Sequence, residues 1–187
     1  MNSHGDDLQT WVTFLRRWRT EQSATTGGLP KLVEAALPAD GWARFVAMLT
    51  GALDQRLKLW ADGLLAAMAA AGDEFEWARA LVQGRRGLAS IRAVAGSPGL
   101  PEPLGRHLLG LVDAQIELVQ RALEDGVEQL RRQGGDGPLV HARMRTVREN
   151  PLTASTAPGS GPVDEWATDP AGPARRRIIV AGPATPD

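Results

Sequence analysis

The chain contains no cysteine. Disulfides, thiolate zinc sites and cysteine nucleophiles are thereby excluded. Tyrosine is also absent, and lysine stands only at Lys31 and Lys58, so nearly all positive charge is arginine. With abundant Ala, Gly and Pro, this usage points to a GC-rich, bacterial genome. No excess of one charge exists either: 21 basic and 22 acidic residues give a formal net charge of -1. That balance argues against a general nucleic-acid or membrane-surface binder. The best apolar run, Gly63 to Gly72, is too short to cross a bilayer and follows Asp62. The first residues, Met1 to Asp7, are polar and acidic, unlike a secretory signal. The expectation is a cytoplasmic protein without a transmembrane segment.

What is present suits one ordinary domain. A chain of 187 residues with 43% hydrophobic and 23% charged residues can bury a substantial core. The segment from Asp40 to Ala71 organises it. Trp42, Val46, Leu49, Leu53, Leu57, Trp60 and Leu64 recur at a period near 3.6, and Phe45, Met48, Ala52 and Leu59 widen the apolar arc. One long helix with an arc that wide needs neighbours on both flanks. Asp40 is its expected N-cap, and Asp54–Lys58 its expected i,i+4 pair. Gly63, with Gly84 and Gly126 on other segments, is expected to permit close helix approach. Arg56 falls inside the apolar arc and breaks its pattern.

The neighbours follow from the same periodicity. A first helix is expected from about residue 6 to 22, with Leu8, Trp11, Val12, Leu15 and Trp18 on one face. Pro30 and Pro38 bracket a short helix over 31–37. Asp73 can cap a helix over 73–95, whose Trp77, Leu81, Gly84, Leu88, Ile91 and Ala95 form a heptad seam. Gly84-Arg85-Arg86-Gly87 could break that helix and contact an anion; the continuous helix is the favoured reading. After the loop signal at Gly96–Pro101, a last long helix is expected to run to about Gln133. Its apolar side is Leu104, Leu108, Leu111, Val112, Val119, Leu123 and Leu130, with Gln115 and Gly126 set within it. Asp113, Glu117, Glu124 and Glu128 line the other side, and Glu117–Arg121 and Glu128–Arg132 are local pairs. A short basic helix is expected over 139–149.

The fold expected is therefore all-α: an antiparallel helical bundle of three long helices plus an N-terminal helix over 5–133. A short basic helix or linker spans 134–149. Residues 150–187 hold more than half of the thirteen prolines. Such a segment buries too little apolar surface to offset its ordering entropy, so a disordered tail carrying short linear motifs is expected.

Chemistry-bearing patterns are few. A carboxylate-bridged metal pair would need Glu-x-x-His on two facing helices; Leu104 stands where His107 would want its glutamate, so no metal ligand is assigned. No Gly-x-Ser-x-Gly, no phosphate loop and no Ser-His-Asp order is present, and neither catalytic residues nor a cofactor are assigned. Arg56 and Gln115 are the polar residues directed at the core. They read as a buried pair that fixes helix register, or as a polar anchor in a pocket between helices. Arg143, Arg145 and Arg148, or Arg16, Arg17 and Arg19 around Trp18, could touch nucleic acid. In the tail, Trp166 sits in an acidic stretch, and Arg175, Arg176 and Arg177 precede Ile178, Ile179 and Val180. Trp and Arg are the side chains that anchor interfaces, and a β-prone triplet after three charges can add to a partner's sheet edge.

The function expected is that of a non-enzymatic adaptor. The bundle would serve as scaffold or oligomerisation surface, and the tail as docking segment for a protein partner or larger assembly. The alternative is a nucleic-acid-associated regulator using the arginine clusters, with nucleic acid the less favoured partner. A small-molecule-binding or granule- or membrane-surface-associated helical protein comes third.

Overall fold

The computed structural model describes residues 3–20, 28–134 and 137–152. Among these residues five α-helices run in the order α1 (Ser3–Trp18), α2 (Ala39–Ala70), α3 (Glu74–Ala95), α4 (Glu102–Gly134) and α5 (Pro138–Glu149). The described residues contain no strand. The expected tail, with Trp166, Arg175, Arg176, Arg177, Ile178 and Ile179, lies outside the described residues.

The long helices α2, α3 and α4 form an antiparallel bundle. The Trp60 Nε1–H of α2 donates to the Gly84 carbonyl of α3 at 2.7 Å. A Cβ on Gly84 would lie 2.9 Å from Leu64 Cδ1, so this glycine is what lets α2 and α3 touch. The connection is tight and capped from both sides. Asp73 accepts from the Glu76 N–H at 2.8 Å, while Glu76 Oε2 accepts from the Gly72 N–H at 2.8 Å. This is the reciprocal logic of a capping box, satisfying two donors a helix start leaves orphaned. The arginine of Arg92 pairs with Asp113 to tie α3 to α4. The α3 helix runs unbroken through Gly84–Gly87, as its seam suggests, and every residue of that seam is buried.

Several local expectations are corrected. The α2 helix begins at Ala39 with Pro38 as N-cap, and no side chain caps it; Asp40 instead sits in the first turn and pairs with Arg44. The short helix over 31–37 is only a 3-10 turn, Glu34–Ala36, because the preceding segment spends its backbone elsewhere. There the Leu32 N–H donates to the Gly99 carbonyl at 2.7 Å. Trp11 Nε1–H donates to the Pro30 carbonyl at 2.8 Å. A Cβ on Gly99 would meet Pro30 O at 2.7 Å and Trp11 Cζ2 at 3.0 Å, so only glycine fits that crossing. Gly63 and Gly126 have nothing within 4 Å of a built Cβ and permit no close approach. Asp54 and Lys58 form no ion pair among the described residues, whereas Glu117–Arg121 and Glu128–Arg132 do, at 3.6 and 3.5 Å.

On α4 the buried face is rotated from the one expected. Leu108, Val112, Ile116, Val119, Leu123 and Val127 are buried, while Leu111 and Leu130 are exposed. The bundle also extends further along the chain than residue 133. The α5 helix packs on α3 and α4, and Val147 and Leu152 belong to the core. Residues 138–152 are thus part of the domain and not a linker.

The α1 helix lies along α2 in parallel. Its Trp11 meets Phe45 edge-on at 6.0 Å, and its Trp18 meets Arg56. Beyond it, the Arg19 Nε–H donates to Gln55 Oε1 at 2.9 Å. Trp11, Leu15 and Trp18 are fully buried by this packing. These contacts end at Arg56, whereas α2 continues to Ala70. That leaves roughly 21 Å of helix beyond the reach of α1 at 1.5 Å per residue.

Candidate docking groove

A groove of about 900 Å³ opens where α1 stops. Thr20 and Arg56 stand at its head, and it runs between α2 and α3 to Ala71 and Glu76. The α2 wall carries Leu59, Trp60, Gly63, Ala67 and Ala70; the α3 wall carries Arg79, Ala80, Gln83 and Arg86. Leu59 is 52% exposed, although it lies on the arc expected to be core. Its place on that arc would be covered if α1 were longer. The small side chains follow from sequence: the end of α2, Ala66 to Ala70, is alanine but for Met68. Alanine keeps helix propensity high while leaving room beside the backbone.

Arg56 is the charged residue buried at the groove's head, 8% exposed. Its guanidinium lies over the Trp18 ring, 5.9 Å from the centroid. Its Nε–H is buried without a hydrogen-bond partner among the described residues, and so is the Trp18 Nε1–H. Burial holds the guanidinium below its usual pKa range because desolvation disfavours the charged form. The expected pairing with Gln115 is not made. Gln115 is half-buried on α4, and no hydrogen bond joins it to Arg56. The arc that breaks at Arg56 is satisfied by the face of an indole and not by a polar partner.

The polar residue that organises α4 is Gln120, which the sequence reading missed. It is buried, its Oε1 accepts from the Leu152 N–H at 2.9 Å, and its Nε2–H donates to Glu124 at 2.7 Å. It fastens the end of the described chain onto α4. Its signal was available: Gln120 stands four residues after Ile116 and three before Leu123, both buried. Arg143 is likewise structural. It donates to the Ala71 carbonyl at the end of α2 at 2.8 Å and lies 6.0 Å from the Trp77 ring centroid. A cation at a helix C-terminus is favoured by the dipole. Arg145 and Arg148 remain exposed, so the three do not present one patch. Nor do the arginines of α1 surround an accessible aromatic, since Trp18 is fully buried.

Among the described residues no group of three histidine, aspartate or glutamate side chains is placed to hold a metal ion. No helix among them is long and apolar enough to cross a membrane. Comparison of the chain with protein-family models, with curated proteins and with solved structures finds no match.

Proposed function

We propose that this chain is a non-enzymatic interaction protein whose α2–α3 groove seats a helix from a protein partner. The observation that carries this reading is the early end of α1. Among the described residues α1 covers one face of the first half of α2, and no helix covers the continuation of that face along the second half, at Leu59, Gly63, Ala67 and Ala70. Helix-in-groove recognition uses such surfaces, with anchors at i, i+3, i+4 and i+7. The bundle then acts as a scaffold. Residues 153–187 supply a second docking element through Trp166 and the Arg175–Ile179 stretch, a part of the proposal that rests on sequence alone.

Affinity capture with three full-fold baits tests this: the full chain, Gly63→Leu, and the chain ended at Leu152. Gly63 lines the groove and has open space above its Cα, so leucine there obstructs the seat without crowding the bundle. A partner retained by the full chain and lost with Gly63→Leu is the expected result. Identical captured sets with the full chain and Gly63→Leu overturn the groove; identical sets with and without residues 153–187 overturn the tail.

A further inference from the structure

We infer that the helix seated in the α2–α3 groove is acidic, and that one of its carboxylates pairs with Arg56 at the groove's head. This rests on the groove being a helix seat and names the chemistry of its occupant. Among the described residues the lining carries Arg56 and Arg79 against one acid, Glu76, whose Oε2 already accepts from the Gly72 N–H. The groove therefore presents positive charge to whatever enters it.

Arg56 gives that charge a focus. A guanidinium whose Nε–H is buried normally has a carboxylate or carbonyl to accept it. Here the Nε–H has none among the described residues, and a second orphaned donor, the Trp18 indole, belongs to the same stacked pair. A carboxylate is an acceptor-only group with room for several donors. Charge-assisted bonds in a part-buried site are the stronger kind. A neutral helix would leave Arg56 as it stands, and a basic one would bring a like charge beside it.

The dimensions favour a helix over a small ligand. The uncovered stretch of α2 matches about fourteen helical residues in length. Gly63, Ala67 and Ala80 leave space for a helix carrying large side chains to lie close. The cavity is an open trough between two helices, without the closed walls that bury most of a small ligand's surface.

The test is selection from a displayed library of helix-biased peptides with all positions randomised, using the full chain as bait and Gly63→Leu for counter-selection. The enriched sequences are expected to share apolar residues at helical spacing and one Asp or Glu at a fixed place in that frame. Changing that acid to Asn or Gln should weaken binding at least about tenfold. On Arg56→Met the acidic and amide peptides should bind equally, which a thermal melt of that variant accompanies to establish folding. Enriched helices without a fixed acid, or an acid whose removal costs the same on Arg56→Met, overturn the assignment while leaving the groove intact. Enriched helices that bind Gly63→Leu undiminished place the seat elsewhere and overturn both. No enrichment over the counter-selector overturns the acidic-helix assignment.

Discussion

Replacing Arg56 by methionine should stabilise the protein. Arg56 is buried as a residue, 8% exposed, and its buried Nε–H is unbonded among the described residues. Taking an ion out of water costs several kcal/mol even after relaxation. The contact with the Trp18 face returns about 2 kcal/mol when desolvated. Methionine replaces the aliphatic stem and adapts its shape, and thioether–aromatic contact recovers part of what the ring loses. The balance is a gain of about 1–3 kcal/mol, the range seen when buried ions give way to apolar side chains. For a domain of this size each kcal/mol raises Tm by about 2–4 °C. Arg56→Ala should fall below Arg56→Met by about 1–3 kcal/mol, because it also removes the aliphatic stem and leaves a cavity. Denaturant unfolding followed by circular dichroism measures both, with an unchanged slope confirming that compactness is unaltered. A loss of 1 kcal/mol or more in Arg56→Met would refute the reasoning. It would mean that Arg56 holds the helices in register through a partner.

Other consequences follow from the glycines and the chain end. Gly99→Ala should destabilise by about 1–3 kcal/mol, the usual cost of overpacking, since its Cβ would meet Pro30 O at 2.7 Å; a melt within a degree of the parent would contradict the crossing described. Gly63→Ala should stabilise by about 0.5–1 kcal/mol through helix propensity, whereas Gly84→Ala should destabilise, because its Cβ would lie 2.9 Å from Leu64. Parallel chemical denaturation of the two variants checks the contrast, which would fail if both shifted alike. Ending the chain at Leu152 should leave the melt unchanged. Ending it at Glu149 should lower stability by about 2–4 kcal/mol, through a lost core leucine that is 1% exposed and bonded to Gln120.

Much of the scaffold was legible because it is periodic. The seam from Trp77 to Ala95 and the buried face of α1 follow directly from three- and four-residue spacing. On α4 the same rule slipped. Leu111 drew the expected face to one side, while Ile116 and the smaller Val127 extend the true one; Leu130 shares the direction of Val112 and is exposed near the end of the helix. Side-chain size is a poor guide to direction when a helix has apolar residues on its shoulders. Arg143 read as part of a basic cluster because its partners, the Ala71 carbonyl and Trp77, lie more than sixty residues away. The groove was legible only in its parts. Arg56 stood out as a break in the arc, but Leu59 read as core. That α1 would run parallel to α2 and stop beside Arg56 depends on tertiary contacts of Trp11 and Trp18 that no local pattern encodes.

The groove itself can be interrogated most directly with a photo-crosslinking amino acid placed at Ala67, on its α2 wall, and at Asp125, an exposed position on α4. Irradiation of the full-length chain in lysate of its own source should give a discrete protein adduct from position 67 that position 125 does not give. That adduct should disappear when Gly63→Leu is combined with the probe. The same adducts from both positions, or none from position 67, would contradict the account of this face as a docking seat.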